Sequence, residues 1–169
     1  MIHLIPFVRG QNDERGTLAY VTWCAIEDAG DWANIFWQLP PDKRNGDLFH
    51  WLSYLADPKN PTAMQMWLDD QGVLAGLTWF NCHDDELKTA QGNIWVAKAY
   101  RGAPSREIVR LASSYAHSVL GIKKIMGVTA NPLSRNLMLR CGYRETARGH
   151  HDIYGETKLV YHVEKEEQK

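Results

Sequence analysis

The spacing of apolar residues changes near residue 62 from a helical period to a strand period. Before that point, apolar residues recur at intervals of three and four over 13–28, which predicts a helix. After it, the short apolar runs 62–68 and 73–80 are joined by Asp69–Gly72, whose glycine supplies the positive φ of a hairpin turn. A chain with both periods packs its helices against a sheet, so the fold class is mixed α/β.

The same patterns predict the other elements of a single domain over 1–163, followed by a charged tail at 164–169. The predicted strands are 2–8, 93–100, 124–130, 143–148 and 157–163, and the predicted helices are 32–39, one from Asp47 that ends before Pro58, 105–120 and 132–140. Polar loops are predicted at 82–89 and 149–155.

Composition excludes several classes of protein. The 169 residues are 44% hydrophobic and 23% charged, which is typical of a globular domain and not of a collagen-like, coiled-coil or disordered chain. Cys24, Cys82 and Cys141 are odd in number and far apart, so we expect free thiols in a reducing compartment, with no disulfide framework and no metal site.

The N-terminus lacks the basic region of a signal peptide, and no apolar run approaches the roughly 18 residues of a membrane span. A cytoplasmic protein is therefore expected.

Charge is distributed unevenly along the chain. Residues 1–90 contain 6 basic and 13 acidic residues, whereas residues 91–169 contain 13 basic and 7 acidic ones. This separation predicts two differently charged surfaces, unless the two halves of the sequence intermix in space. A nucleic-acid-binding function is disfavoured, because the pI is about 6.6 and no recognised motif is present.

Three segments between residues 93 and 145 carry a recognisable pattern. They are VAKAYRG at 96–102, GIKKI at 121–125, and Asn131 followed by Ser134, Leu137, Arg140 and CGYRE at 141–145. They resemble the V-x-P-E-Y-R-G, G-[IV]-x-x-[IL] and N-x-x-[AS]-x-x-[LF]-Y-x-[KR]-x-G-[FY] segments of the GNAT superfamily of N-acetyltransferases. The Asp69–Gly72 hairpin and Gly76 resemble that family's second and third strands.

The resemblance implies a GNAT-like acyl-CoA N-acyltransferase fold, with a mixed, mostly antiparallel sheet of about seven strands and helices on both faces. It implies transfer of an acetyl or other acyl group from acyl-CoA to an amine by direct attack, without a metal. In such folds the fourth and fifth strands splay, pantetheine enters the gap, and the pyrophosphate lies at a helix N-terminus, where free N–H groups favour anions. The implied cofactor-binding residues are Val96, Lys98, Arg101, Gly102, Ala103, Ser105, Arg106 and Asn131.

Three residues depart from the family's pattern. The phosphate loop of the family reads [QR]-x-x-G-x-[GA], but here Pro104 and Arg106 replace both small residues. Pro104 has no N–H to donate, whereas Arg106 brings a guanidinium that binds phosphate well. Met138 replaces a tyrosine that protonates the leaving thiolate in many members, and a thioether cannot do so.

The resemblance also implies that two polar segments flank the amine acceptor. One is the loop with His150 and His151, and the other follows the first helix and contains Glu27 and Asp31. Any of these four candidate catalytic residues has a group that accepts a proton from an ammonium, directly or through water. The alternative interpretation is that both segments are polar surface loops. The cluster His83–Glu86 is interpreted as a solvated turn.

Two functions of different classes therefore follow. The first is an acetyl-CoA-dependent N-acyltransferase whose amine acceptor the sequence does not identify. The second is a catalytically inactive GNAT-fold structural or interaction protein, such as a short-tailed phage virion or internal core protein, located inside the virion. The tryptophan-rich N-terminal half, with Trp23, Trp32, Trp37, Trp51 and Trp67, is interpreted as core first, and otherwise as an interface for a protein partner or a second copy.

Overall fold

The computed structural model describes residues 1–6, 12–44, 62–84 and 86–167. Within these ranges the strands are β1 His3–Pro6, β2 Thr62–Leu68, β3 Leu74–Asp84, β4 Thr89–Val96, β5 Lys124–Thr129, β6 Arg144–Ile153 and β7 Glu156–Glu166. The helices are α1 Asn12–Ala29, α2 Trp32–Ile35, α3 Ala103–Ser118 and α4 Pro132–Arg140, with 3-10 turns at Pro41–Lys43 and Lys98–Tyr100.

The described strands form a single seven-stranded sheet in the order β1-β2-β3-β4-β5-β7-β6. Neighbouring strands run antiparallel except for β4 and β5, which are parallel. A parallel pair needs a crossover connection, and α3 provides it. The predicted mixed, mostly antiparallel sheet of about seven strands is confirmed.

Helices cover the two faces of the sheet around two apolar clusters. On one face α3 and α4 pack over Phe80, Ile108, Ile125, Met138 and other buried residues. On the opposite face α1 and α2 enclose a second cluster, which comprises Ile26, Trp32, Met66, Leu77, Trp79 and Trp95. The interpretation of the tryptophans as core residues is confirmed for Trp32 and Trp67, whereas Trp23 and Trp37 are half-buried. Trp51 lies outside the described residues.

Several predicted boundaries were wrong. The helix predicted over 32–39 ends at Ile35, because the chain turns at Phe36 and the Leu39 N–H donates to the Phe36 carbonyl (2.8 Å). The loop predicted at 82–89 is shorter, since β3 continues to Asp84 and β4 begins at Thr89. The first strand ends at Pro6, its predicted continuation lies outside the described residues, and so does the helix predicted from Asp47.

The last strand also extends further than predicted. β7 continues to Glu166, three residues into the predicted tail. It does so because Glu164, Lys165 and Glu166 pair with the first three residues of β5. Among the described residues, no helix is long and apolar enough to cross a membrane.

A buried hydrogen bond joins α3 to the segment between α4 and β6. The Tyr143 hydroxyl lies 3.0 Å from the Ser113 Oγ, and Tyr143 is only 6% exposed. Burial, which disfavours the charged phenolate, raises the pKa of Tyr143 from its ordinary value of 10 to about 12.

This pKa shift predicts a specific alkaline destabilisation. Between pH 10 and pH 12 the unfolded chain loses the Tyr143 proton and the folded chain keeps it, so the free energy of unfolding falls as pH rises. The contribution is fully present below pH 10, and its loss amounts to about 2 to 3 kcal/mol. Urea unfolding at pH 9 and pH 11.5 should show a smaller pH-dependent loss in Tyr143→Phe than in the wild type. The exposed Tyr154→Phe is the control, and equal losses in all three proteins would contradict the prediction.

Candidate functional site

The parallel strands β4 and β5 pair only where they begin. Their register covers three pairs, Thr89 with Lys124, Ala90 with Ile125, and Gln91 with Met126. Beyond these pairs the strands diverge, and a cleft of about 850 Å³ opens between them. Its lining residues come from both faces of the sheet, so the split connects the side of α1 and α2 with the side of α3 and α4.

Glycines lie where the two strands separate. A Cβ atom at Gly92 would come within 2.8 Å of the Ile125 Cγ2, and one at Gly127 within 3.0 Å of the Val163 Cγ2. Both positions face α3 and α4, and both line the cleft. The backbone therefore forms this part of the cleft, where a larger residue would need its neighbours to shift.

The end of β4 presents backbone polar groups to the cleft. The Ala97 N–H donates to the Ala75 carbonyl of the β3 side (3.0 Å), so the alternation of the strand directs the Val96 N–H and C=O the other way, toward β5. The Arg101 Nε donates to the Val96 carbonyl (3.0 Å). Because β5 has already diverged here, the Val96 N–H is available to a ligand in the cleft.

The strand predicted over 93–100 is displaced by four residues, since β4 begins at Thr89 and ends at Val96. After Val96 the chain forms the 3-10 turn Lys98–Tyr100, in which the Tyr100 N–H donates to the Ala97 carbonyl (2.9 Å). The Tyr100 hydroxyl also donates to Asp69, the hairpin carboxylate. Lys98 is therefore exposed in this turn and is not among the residues that line the cleft.

The N-terminus of α3 lies on the cleft. Gly102 precedes the helix with φ of 122°, a conformation that favours glycine. The Ser105 Oγ accepts from the Gly102 N–H (3.3 Å) and donates to the Gly102 carbonyl (2.6 Å), which fixes the first turn. The N–H groups of Ala103 and Ser105 have no partner within a helix at this position, whereas Pro104 has no N–H.

The other residues on this side add positive charge. Arg106 follows the first turn of α3, and Arg140 ends α4. Asn131, the predicted cap of α4, accepts from the Leu133 N–H with its Oδ1 (2.9 Å). We call this side the arginine mouth, defined by Gly102, Ala103, Ser105, Arg106, Asn131 and Arg140, all of which line the cleft.

The opposite side of the cleft is aromatic. Alternation along β3 and β4 turns Trp79 and Trp95 toward α1 and α2, and Trp37 follows α2. Lys158 lies on the same face, because alternate residues of β7 share a face and Val163 is on the other. We call this side the tryptophan mouth, defined by Asp31, Asn34, Trp37, Trp79, Trp95 and Lys158, all of which line the cleft.

Asp31 lies at the tryptophan mouth, but its carboxylate is already engaged. It is 6% exposed and accepts hydrogen bonds from the Trp95 Nε1 (2.9 Å) and from the Arg101 guanidinium. The ion pair joins the turn before α2 to the segment between β4 and α3. Among the described residues that line the cleft, Asp31 is the one carboxylate, beside the cations Arg101, Arg106, Arg140 and Lys158.

The other three candidate catalytic residues lie outside the lining of the cleft. Glu27 is exposed in the last turn of α1. His150 and His151 are exposed on β6, where they pair with Leu159 and Lys158 of β7. Directly opposed residues share a face, so His151 lies beside Lys158 on the side of the tryptophan mouth and His150 on the side of α4.

The loop predicted at 149–155 was therefore wrong. β6 extends to Ile153 and β7 begins at Glu156, so a two-residue turn joins them. Tyr154 and Gly155 have φ of 52° and 80°, the pair of positive values that a type I′ hairpin turn requires. A Tyr-Gly pair is a weaker signal of this turn than Asn-Gly, and the polar strand resembled a loop in sequence.

Met138 is 8% exposed in the core and lines the cleft. No tyrosine is found in the lining formed by the described residues. None of them therefore substitutes for the tyrosine that many family members have at the position of Met138. The described residues also contain no group of three or more His, Cys, Asp or Glu that could hold a metal ion.

Sequence reasoning missed the cleft residues Trp79, Trp95 and Lys158, whereas it recognised Arg140 only as a position of the motif. The tryptophans were interpreted through composition, and the period-two pattern of β3 and β4 was the signal that could have put both on one face. Lys158 had no signal, because the pairing of β7 with β5 and β6 decides where it lies.

No family model and no curated protein matches the chain. Solved structures do match. The spermidine N-acetyltransferase of Vibrio cholerae in complex with CoA and spermine is 19% identical, with a TM-score of 0.70 over 98% of this chain and 95% of that one. The spermidine/spermine N-acetyltransferase SpeG of the same organism in complex with manganese ions is 20% identical, with a TM-score of 0.68 over 98% and 92%. These likenesses show that the chain has the GNAT fold.

The Asp31–Arg101 pair predicts a measurable coupling. Arg101 is about half exposed and solvent screens the pair, so a double-mutant cycle with Asp31→Asn and Arg101→Gln should give about 1 kcal/mol. Urea unfolding of the four proteins measures it. The exposed Arg144–Glu166 pair is the matched control and should give less than about 0.5 kcal/mol. A coupling no larger than that of the control would show that the pair does not hold the two segments together.

Proposed function

We propose that this chain is an N-acyltransferase that moves an acetyl group from acetyl-CoA to an amine. The observation that carries the proposal is the early divergence of β4 and β5, which opens a cleft through the sheet. Two substrates approach such a cleft from opposite faces without competing for the same surface. The GNAT fold and the CoA held by a structural neighbour support the same assignment.

The arginine mouth is the proposed site of CoA. The phosphates of CoA contact Arg106, Arg140 and the first-turn amides of α3, where the positive end of the helix dipole also attracts them. Pantetheine continues along the glycine-lined backbone toward the Val96 N–H. Of the residues assigned to the cofactor from sequence, Lys98 is the weakest, because it lies outside the cleft, and Arg101 is already paired with Asp31.

The chemistry that this arrangement supports is a direct transfer. The neutral amine nitrogen attacks the thioester carbon, the N–C bond forms and the C–S bond breaks. Negative charge develops on the carbonyl oxygen, where the Val96 N–H stabilises it. The amine loses a proton and the departing sulfur gains one, so the products are an amide and free CoA. A thiol has a pKa near 8.5, so the sulfur leaves as a thiolate that water protonates, which Met138 does not prevent.

The proposed acceptor of the amine proton is either Asp31 or His151. Asp31 lines the tryptophan mouth, although its hydrogen bonds from Asn34, Trp95 and Arg101 favour a positioning role. His151 lies on the same face beside Lys158, from where one or more waters connect it to the cleft. Glu27 and His150 are poorer candidates, since they are exposed away from the lining.

Titration with acetyl-CoA tests the proposal. At a hundred-fold excess over its dissociation constant, binding should stabilise the fold by about 2.7 kcal/mol and raise the Tm by roughly 5 to 10 °C. Arg106→Ala should weaken binding about ten-fold, because a phosphate contact is lost. Arg110→Ala is the matched control, one helical turn further on α3 and outside the cleft. No shift at millimolar acetyl-CoA would overturn the proposal, and binding without turnover of any amine would favour the catalytically inactive alternative.

Pro104 gives a second test of the phosphate site. Pro104→Ala adds one N–H to the first turn of α3, so CoA should bind about three- to ten-fold more tightly. Calorimetric titration measures the dissociation constant. Pro132→Ala, at the first position of α4, is the control for loss of a helix-starting proline. Equal affinities in Pro104→Ala and the wild type would mean that the pyrophosphate does not contact this turn.

A further inference from the structure

The tryptophan mouth differs in chemistry from the arginine mouth, and it is where the proposed function requires the amine. We infer that the acceptor is an arylalkylamine, a molecule with one amine and a flat apolar body, and not a polyamine. This inference rests on the proposed function, since it assigns the acceptor of that same cleft.

The walls of the tryptophan mouth carry the first part of the argument. Trp79 and Trp95 are each 5% exposed, so their rings are fixed in the core and present a narrow but rigid apolar surface to the cleft. Trp37 is half-buried and adds a third ring from the segment that follows α2. Rigid aromatic walls favour a planar apolar ligand, because stacked or edge-to-face rings add to the free energy of burial. They offer little to a flexible chain with a charge every few atoms.

The charges at the tryptophan mouth carry the second part. A polyamine with three or four positive charges needs unpaired carboxylates. The one carboxylate in the described lining is Asp31, and Arg101 already neutralises it. Lys158 adds a cation 2.8 Å from Glu156, and the same Glu156 oxygen also pairs with Arg44. Two cations therefore share one carboxylate at this edge, so Glu156 is already paired and is not free to receive a polycation.

A single amine avoids this repulsion. It reacts in the neutral form, and its nitrogen then carries no charge into a cleft whose described lining has no free carboxylate to receive it. The transfer balances as before. The acetyl group moves from sulfur to nitrogen, the nitrogen loses one proton, and the sulfur gains one. The aromatic body lies between Trp37 and the walls of Trp79 and Trp95 while the nitrogen faces the Val96 end of β4.

A comparison of two classes of acceptor tests the inference. Acetyl transfer from acetyl-CoA is measured for tryptamine and phenethylamine, and for spermidine, by release of free CoA. We expect kcat/KM for the arylalkylamines to exceed that for spermidine by at least ten-fold. A preference for spermidine, or turnover of neither class, overturns the inference. Acetyl-CoA binding is measured in the same samples, and its absence would mark failure of the proposed function itself.

Two variants separate a specific pocket from a general effect. Trp37→Ala should raise the KM for tryptamine about ten-fold while Trp37→Phe keeps it within about three-fold, with the dissociation constant of CoA unchanged in both. Lys158→Glu should shift the ratio of kcat/KM toward spermidine by about ten-fold, because it adds a carboxylate to the mouth. Lys123→Glu makes the same charge change on an exposed residue away from the cleft and should leave the ratio as it is. An unchanged ratio in Lys158→Glu would overturn the electrostatic argument.

Discussion

The divergence of two parallel strands after three residue pairs is the constraint on which the rest of this structure depends. A sheet that stayed paired would bury the inner polar groups of β4 and β5 in hydrogen bonds to each other. Because they separate, the Val96 end of β4 needs other partners, and the Arg101 side chain already bonds to its carbonyl. The first turns of α3 and α4 are brought to the same opening, so that unpaired donors from strand and helix face one cleft.

The Asp31–Arg101 pair shows how the two helical layers are tied across that opening. Asp31 belongs to the turn before α2, on one face of the sheet, and Arg101 to the approach to α3, on the other. Trp95 donates to the same carboxylate from β4. The Asn34 amide of α2 donates to it as well, so one buried carboxylate accepts hydrogen bonds from three parts of the chain. A buried carboxylate is costly without such partners, so its position depends on the completed fold.

Much of the fold could be predicted from sequence, because apolar period, turn glycines and helix caps act locally. The hairpin at Asp69–Gly72 and the Asn131 cap of α4 depend on neighbours within a few residues, and both were predicted. The cleft could be predicted only in part. The backbone at Val96 and Gly102 follows from motif positions, whereas Lys158 depends on the register of β6 and β7, which the unexpected Tyr154–Gly155 turn sets. Long-range register leaves no local mark in the sequence.

The uneven distribution of charge along the sequence does not simply produce an acidic and a basic side of the cleft. The basic half does supply the cations of the cleft, since Arg101, Arg106, Arg140 and Lys158 all follow residue 90. The described part of the acidic half does not supply a matching acidic mouth. Of its described carboxylates, Asp31 alone lines the cleft, and there it forms an ion pair with Arg101. The amine side is therefore shaped by tryptophans from that half, and recognition there depends on apolar contact more than on opposite charge.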